Sequence, residues 1–373
     1  MEGAALEEAR TVLAAFAIDG ALVGLEPITQ GHINASFVSS WRDGESSFRR
    51  FHQRMNREVF ARPDLVMENI ARATGHIRAG LAREGALDLE RRVLRIVLSR
   101  EGSRLVRGGD GEYWRCYEFI EGSRSLDLVG TPGEALEVGR GVGRFLRLLD
   151  GLPGPRLHEA IPRFHDAADR YRRFEEAVGA DRAGRRGEVA SEIEAFLGAR
   201  KAACVLSEAV ARGSVPERTV HNDCKANNIL LDVLTGRALC TVDLDTVGPG
   251  SLLYDFGDLV RTAATTARED EPNPERVDLD TGLFEALAEG FAEETRGLVT
   301  PAERALLPDA GKAFALVMGL RFLTDYLDGD RYYRVARPRH NLERARSQLA
   351  LAEAFDRRYP ELRRICERAF LQA

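Results

Sequence analysis

A polar knot set between two apolar anchors constrains this chain more than any other feature. Thr219-Val220 leads into His221-Asn222-Asp223-Cys224-Lys225-Ala226-Asn227-Asn228, and Ile229-Leu230-Leu231 follows at once. Short apolar runs of this kind read as buried strands, so the residues between them form a loop fixed at both ends by a core. A loop pinned in that way is where a folded scaffold presents chemistry. Beyond it, Thr235-Gly236 marks a turn and residues 238–242 a return strand, which delivers Asp243 fifteen positions after Asn228 and Asp245 just behind it.

The spacing carries the information. A lysine stands two positions after Asp223 and an asparagine five positions after it, which fits the catalytic loop of kinases. In that mechanism an Asp accepts the proton of the attacking hydroxyl and an Asn reaches a metal ion on the nucleotide phosphates. Asp223 and Asn228 fit those roles, with Asp243 as the second metal ligand and Asp245 as a further carboxylate nearby. Of the 53 basic residues only Lys201, Lys225 and Lys312 are lysine. A chain that uses arginine almost everywhere and places a lysine at 225 points to a need for a compact ammonium, so Lys225 joins Asp223 as a candidate catalytic residue.

Asp255-Phe256-Gly257 spells the kinase metal motif but comes 27 positions after Asn228, beyond the turn signal Gly248-Pro249-Gly250 and at the head of a helical stretch, 256–265. The metal is therefore assigned to Asp243, and Asp255 is expected either to cap that helix or to hold the catalytic loop by hydrogen bonds.

A length of 373 residues suggests two or three cores, and 44% hydrophobic with 30% charged residues is the composition of an ordinary soluble globular protein. The net charge of −6 gives no general attraction to nucleic acid or to anionic membrane. The five cysteines are dispersed, without a C-x-x-C pair, and read as free thiols of a reducing compartment. Residues 1–20 lack a basic region and an apolar run, so no signal peptide is expected, and no apolar stretch nears the roughly 20 residues that span a bilayer. A cytoplasmic location is the expectation.

In chain order, residues 4–17 read as an amphipathic helix, followed by strands at 21–28, 35–41, 48–55, 93–98 and 113–120, an antiparallel five-stranded sheet. Between the first two strands, Gly31 and Asn34 lie where a kinase hairpin covers nucleotide phosphates, although a plain turn with Asn34 as its turn residue reads equally well. Arg54 on the third strand is the candidate phosphate cation, paired with Glu68 on the helix 63–81, and backbone from Tyr117 to Ile120 is available to adenine. Glu121-Gly122-Ser123 reads as a hinge, dividing a nucleotide-binding lobe, 1–120, from a mainly helical catalytic and substrate-binding lobe, 121–373. Helices are expected at 134–149, 165–178, 187–210, 284–294, 301–328 and 342–354, and a charged, proline-broken surface loop at 267–279.

These residues together resemble the aminoglycoside phosphotransferase and choline kinase superfamily, and within it the N-acetylhexosamine 1-kinase group. The resemblance runs over Gly31 to Asn34, Gln53 to Asn56, Val66 to Ile70, Trp114 to Gly122, Ile161 to His165, His221 to Asn228, Val242 to Val247, Tyr254 to Asp258 and Arg321 to Tyr326. It implies a bilobal, protein-kinase-like α+β fold and transfer of phosphate from ATP, with Mg2+, to the anomeric hydroxyl of an N-acetylated hexosamine. It also implies that Arg321 and Tyr332 help bind the sugar, with His165 and Asp166 as weaker candidates. Arg321 equally fits a structural tie to Asp325 one turn on, and His165 and Asp166 fit local helix caps. The competing readings are an aminoglycoside or choline-like alcohol kinase, a nucleotide-binding regulator without catalysis, and a protein kinase. Intact Asp223, Asn228 and Asp243 argue against the regulator, and the short segment after Asp245 leaves little room for peptide docking. Which acceptor is used and the oligomeric state are not legible in the sequence.

Overall fold

The computed structural model of the chain describes residues 2–28 and 33–371. It divides into two compact units: the first comprises residues 1–123, 152–162 and 240–247, the second 124–151, 163–239 and 248–373.

The first unit is built on an antiparallel sheet. Helix α1 (Glu2–Leu13) precedes strands β1 (Ala21–Ile28), β2 (Ala35–Asp43) and β3 (Ser46–Arg54); then come α2 (Pro63–Arg83), the short α3 (Leu89–Arg92), β4 (Ile96–Val97), β5 (Val106–Arg107) and β6 (Tyr113–Glu118). The sheet runs β1-β2-β3-β6-β4, with β5 also paired to β6, so it has six strands where five were expected. Strand alternation divides its residues between two faces. Phe37, Trp41, Trp114 and Cys116 pack with Ala9, Val12 and Leu13 of α1. Arg115 and Tyr117 point the other way, to Met67 of α2. Helix α2 begins with Pro63, whose missing N–H costs nothing there, and it buries Val66, Met67, Ile70, Ala73 and Ile77 at helical spacing.

The chain passes to the second unit at the two-residue strand β7 (Ser123–Arg124). There follow α4 (Pro132–Leu149), α5 (Ala167–Ala180), α6 (Ala190–Gly198) and α7 (Arg200–Ala211), then β8 (Arg218–Val220), β9 (Ile229–Asp232) and β10 (Ala238–Thr241), in which the chain returns to the first unit. Strand β11 (Gly248–Gly250) precedes α8 (Leu252–Ala263), α9 (Thr281–Thr295), α10 (Pro301–Asp328) and α11 (His340–Leu371). The helices surround one large apolar core.

Glycines set the closest helix contacts. A Cβ on Gly290 of α9 would strike the Leu136 carbonyl of α4, one on Gly139 would strike Leu287 O, and one on Gly257 of α8 would sit 2.7 Å from Ala310 O of α10. The expected single helix 187–210 is broken, since α6 ends at Gly198 and α7 starts at Arg200. The last helix is far longer than 342–354 and runs on through Pro360. The loop at 267–279 is less solvated than its composition suggests: Glu269 pairs with the buried Arg261 at 2.6 Å and Asp270 with His340 at 3.0 Å.

Candidate active site

In the second unit the loop 221–228 leaves β8, which pairs antiparallel with β11, Val220 opposite Gly248. Asn222 takes a left-handed conformation, φ 68°, which turns the chain sharply before Asp223. Three contacts hold that turn. The Asp255 carboxylate accepts from His221 N at 2.8 Å and from Asn222 N at 2.7 Å. The His165 ring donates from Nε2 to Asn222 O at 2.7 Å. Gly250 leaves room for the Asn222 side chain, since a Cβ there would lie 2.5 Å from Oδ1.

Asp255 therefore holds the loop, and the helix cap is Ser251, whose side chain accepts from Leu253 N. Asp255 is fully buried, which pushes its carboxyl up to about 6. Phe256 lies in the core and Gly257 seats α8 on α10, so each letter of this look-alike motif has a packing reason.

Burial raises the Asp223 carboxyl, but Lys225, whose Nζ lies 2.9 Å from Oδ1, together with His221 and Arg261 outweighs it and holds the group below the usual carboxylate range. The side chains of Asp223 and Lys225 remain 25% and 35% exposed, so an acceptor can reach them. Asn228 donates from Nδ2 to Asp223 O at 2.8 Å, which leaves its side-chain oxygen as the end able to meet a cation.

Asp223 also lies within electrostatic range of Arg321 on α10. The Arg321 guanidinium lies over the rings of Phe164 and Tyr333, 5.0 and 5.6 Å from their centroids, and donates from Nη1 to Met318 Sδ at 3.1 Å. Burial, and then the Arg321 charge, pull the neighbouring Arg170 down to about 10. Asp325 is not tied to Arg321; its carboxylate accepts from the backbone N–H groups of Arg331, Tyr332 and Tyr333 and from Asn341. Burial pushes the His165 imidazole down to about 3, so it is neutral, and its Nε2 is committed to the loop. Asp166 caps α5 by accepting from Asp169 N.

In the first unit the acidic turn begins at Asp243, which is left-handed with φ 60°. The Asp245 carboxylate, 4% exposed as a residue, pairs on Oδ1 with the fully buried Arg115 and accepts on Oδ2 from Asn34 Nδ2 at 2.6 Å. Asn34 in turn accepts from Asn56 N at 3.0 Å, and Val247 O accepts from Asn69 of α2. Asp245 is thus occupied on both oxygens by protein groups.

Arg54 and Glu68 do not meet. Gln53 stands opposite Arg115 in the β3–β6 register and Arg54 opposite Trp114, so Arg54 belongs to the α1 face of the sheet, where it lies 3.6 Å from Asp110. Glu68, on the other side, lies 3.4 Å from His158. The cation on the α2 face is Arg115, which donates twice to Gln53. Sequence reasoning passed over it, and the one signal was a single charge inside the apolar run Trp114 to Tyr117. The backbone of Tyr117 lies in the ladder opposite both Phe51 and Ile96, while Ile120 is buried and its carbonyl accepts from Ser123. Gly31 lies outside the described residues. Among the described residues no group of three or more His, Cys, Asp or Glu side chains is placed to hold a metal alone, and no helix is long and apolar enough to cross a membrane.

The model of the phosphotransferase enzyme family matches residues 24–290. Three solved structures share the fold. A spectinomycin phosphotransferase in complex with ADP and spectinomycin matches with a TM-score of 0.54 at 12% identity, over 95% of this chain and 98% of that one. A choline/ethanolamine kinase family protein from Mesorhizobium loti gives 0.52 at 18% identity over 98% and 99%. An aminoglycoside phosphotransferase from Alicyclobacillus acidocaldarius gives 0.51 at 15% identity over 96% of each chain.

Proposed function

Because the chain belongs to the phosphotransferase enzyme family and is a small-molecule kinase of protein-kinase-like fold, we propose that it transfers the γ-phosphoryl group of ATP to the anomeric hydroxyl of a neutral N-acetylated hexosamine. The observation that carries the acceptor class is the charge around Asp223. Lys225 pairs with it, Arg321 lies in range and Arg170 stands beside Arg321, while the two carboxylates that also act on Lys225, Asp258 and Glu269, are both paired with Arg261. A polyamine antibiotic or a quaternary ammonium alcohol brings positive charge into that company and is repelled, whereas a neutral sugar is not. The Arg321, Phe164, Tyr332 and Tyr333 planes offer the apolar faces and polar edges that a pyranose ring uses.

Phosphoryl transfer asks the protein chiefly for positioning and charge. Asp223 orients the acceptor hydroxyl and takes its proton as the new oxygen–phosphorus bond forms and the bond from the γ-phosphorus to the β–γ bridging oxygen breaks, ADP leaving. Lys225 fixes that carboxylate and adds positive charge near the transferring group. Two oxygen donors, the Asn228 amide oxygen and the Asp243 carboxylate, suit magnesium, which prefers one or two hard protein oxygens with phosphate and water as its remaining ligands. When bound, the ion shields the phosphate charge. Asp245, held by Arg115 and Asn34, supports the turn that carries Asp243.

The test is ADP release from ATP and magnesium across a panel of N-acetylhexosamines, free sugars, aminoglycosides and choline, with NMR locating the phosphate on the product. Turnover confined to N-acetylhexosamines with a 1-phosphate product is expected. Preferential turnover of an aminoglycoside or choline refutes the acceptor class while leaving the family intact.

A further inference from the structure

Tyr333 has a phenol with nowhere to go. Its oxygen is shielded from solvent and has no hydrogen-bond partner, and burial pushes it up to about 12, so it is a neutral hydroxyl at any working pH. The ring is held on three sides: Phe322 at 4.7 Å, Tyr332 at 4.8 Å and the Arg321 guanidinium at 5.6 Å between centres. The backbone is equally fixed, because Tyr333 N donates to Asp325 Oδ2 at 2.9 Å in the loop that Asp325 winds up after α10. Buried polar groups are almost always satisfied, and the exceptions in native structures call for a reason.

The adjacent Tyr332 is 51% exposed, so water reaches that side chain. The Arg321 guanidinium that covers the Tyr333 ring also covers Phe164, whose ring packs on His165 at 4.4 Å, and His165 donates to Asn222 O, next to Asp223, at 2.7 Å. The orphan hydroxyl therefore belongs to the acceptor side of the catalytic loop. We propose that Tyr333 is a specificity-determining residue whose hydroxyl hydrogen-bonds a polar substituent of the acceptor other than the hydroxyl that is phosphorylated. This rests on the sugar-kinase reading above. It goes beyond that reading by assigning discrimination among acceptors to a residue that no motif identifies. A site that presents an unsatisfied buried hydroxyl disfavours an analogue lacking the matching group, since that analogue leaves the phenol unpaired.

The experiment compares wild type with Tyr333→Phe, using an N-acetylhexosamine that the wild type accepts and its single deoxy and deacetylated analogues. For the full sugar the variant should lose about tenfold in kcat/KM, mostly through KM. For the one analogue that lacks the group read by Tyr333, wild type and variant should be equal. The melting temperature of the free variant should be unchanged or higher, because the hydroxyl has no internal partner to lose. Equal kcat/KM within twofold on every sugar overturns the inference. So does an equal loss on every analogue, or a fall in melting temperature, since either shows a structural role. If the wild type itself phosphorylates no N-acetylhexosamine, the acceptor reading has failed and this inference falls with it.

Discussion

Asp255→Asn separates the two meanings of the Asp-Phe-Gly sequence. The substitution keeps shape and replaces one of two acceptor oxygens with an amide NH2. Either His221 N or Asn222 N, now 2.8 and 2.7 Å from a carboxylate oxygen, then faces a donor. Losing a hydrogen bond to a charged group costs about 1.5–3 kcal/mol, and leaving the buried N–H unpaired about 1–3 more, so about 2.5–6 kcal/mol in all. Against this, the amide has no charge to desolvate. Burial raises the Asp255 carboxyl from the ordinary 3.8 to about 6, which corresponds to about 3 kcal/mol at 1.36 kcal/mol per pH unit. The net change in stability is about 0–3 kcal/mol. The geometry has no such compensation: the loop loses one of the donors that set the Asn222 turn, and displacing the base by about 1 Å costs about a hundredfold in rate. The expected variant is folded, melts within a few degrees of wild type and retains its response to magnesium, with turnover in a coupled ADP-release assay down about a hundredfold. A folded variant with turnover within threefold of wild type would refute the brace, and selective loss of the magnesium response would restore the metal reading of Asp255.

Four further outcomes are expected. Asp223→Asn should lower turnover by about 10²- to 10⁴-fold, the usual worth of a general base, with the melting curve little changed; near-normal turnover ends its assignment as base. Arg115→Ala leaves Asp245 buried without its partner and should cost about 3–5 kcal/mol in denaturant unfolding, whereas Arg54→Ala, which removes a half-exposed ion pair, should cost less than about 1 kcal/mol. Gly290→Ala drives a methyl into the Leu136 carbonyl and should destabilise by about 1–3 kcal/mol; an unchanged unfolding midpoint contradicts the close α4–α9 contact. Because the folded-state pKa of Asp255 is raised, the stability it contributes by holding its proton is fully present below about pH 4 and is lost as pH rises to about 6. That slope in unfolding free energy between pH 4 and 6 should be shallower in Asp255→Asn.

The loop at 221–228 and the strands around it were legible because their information is local. β1 spans residues 21–28 and α10 spans 301–328, as their patterns of apolar and breaking residues predict. The face on which Arg54 lies was not local, since it depends on the register of β3 against β6, and a shift of one residue changes which helix a side chain meets. Asp255 was ambiguous because an acidic residue at the head of a helix serves equally as a cap or as an acceptor for a distant backbone. Only the position of Ser251 one turn earlier decides it. The arrangement around Asp325 was hidden for a related reason: its partners are backbone donors, which the sequence writes identically at every position.

The brace has one more consequence. The carboxylate that shapes the Asn222 turn rides on α8, and α8 is seated on α10 through Gly257 and the Ala310 carbonyl, with Phe256 against Phe291. The pose of the loop that carries Asp223 is thus inherited from the interior of the helical unit. Substitutions deep in that interior, at Ala310 or Phe291 and out of reach of any substrate, are expected to dull turnover at temperatures where the fold as a whole still stands.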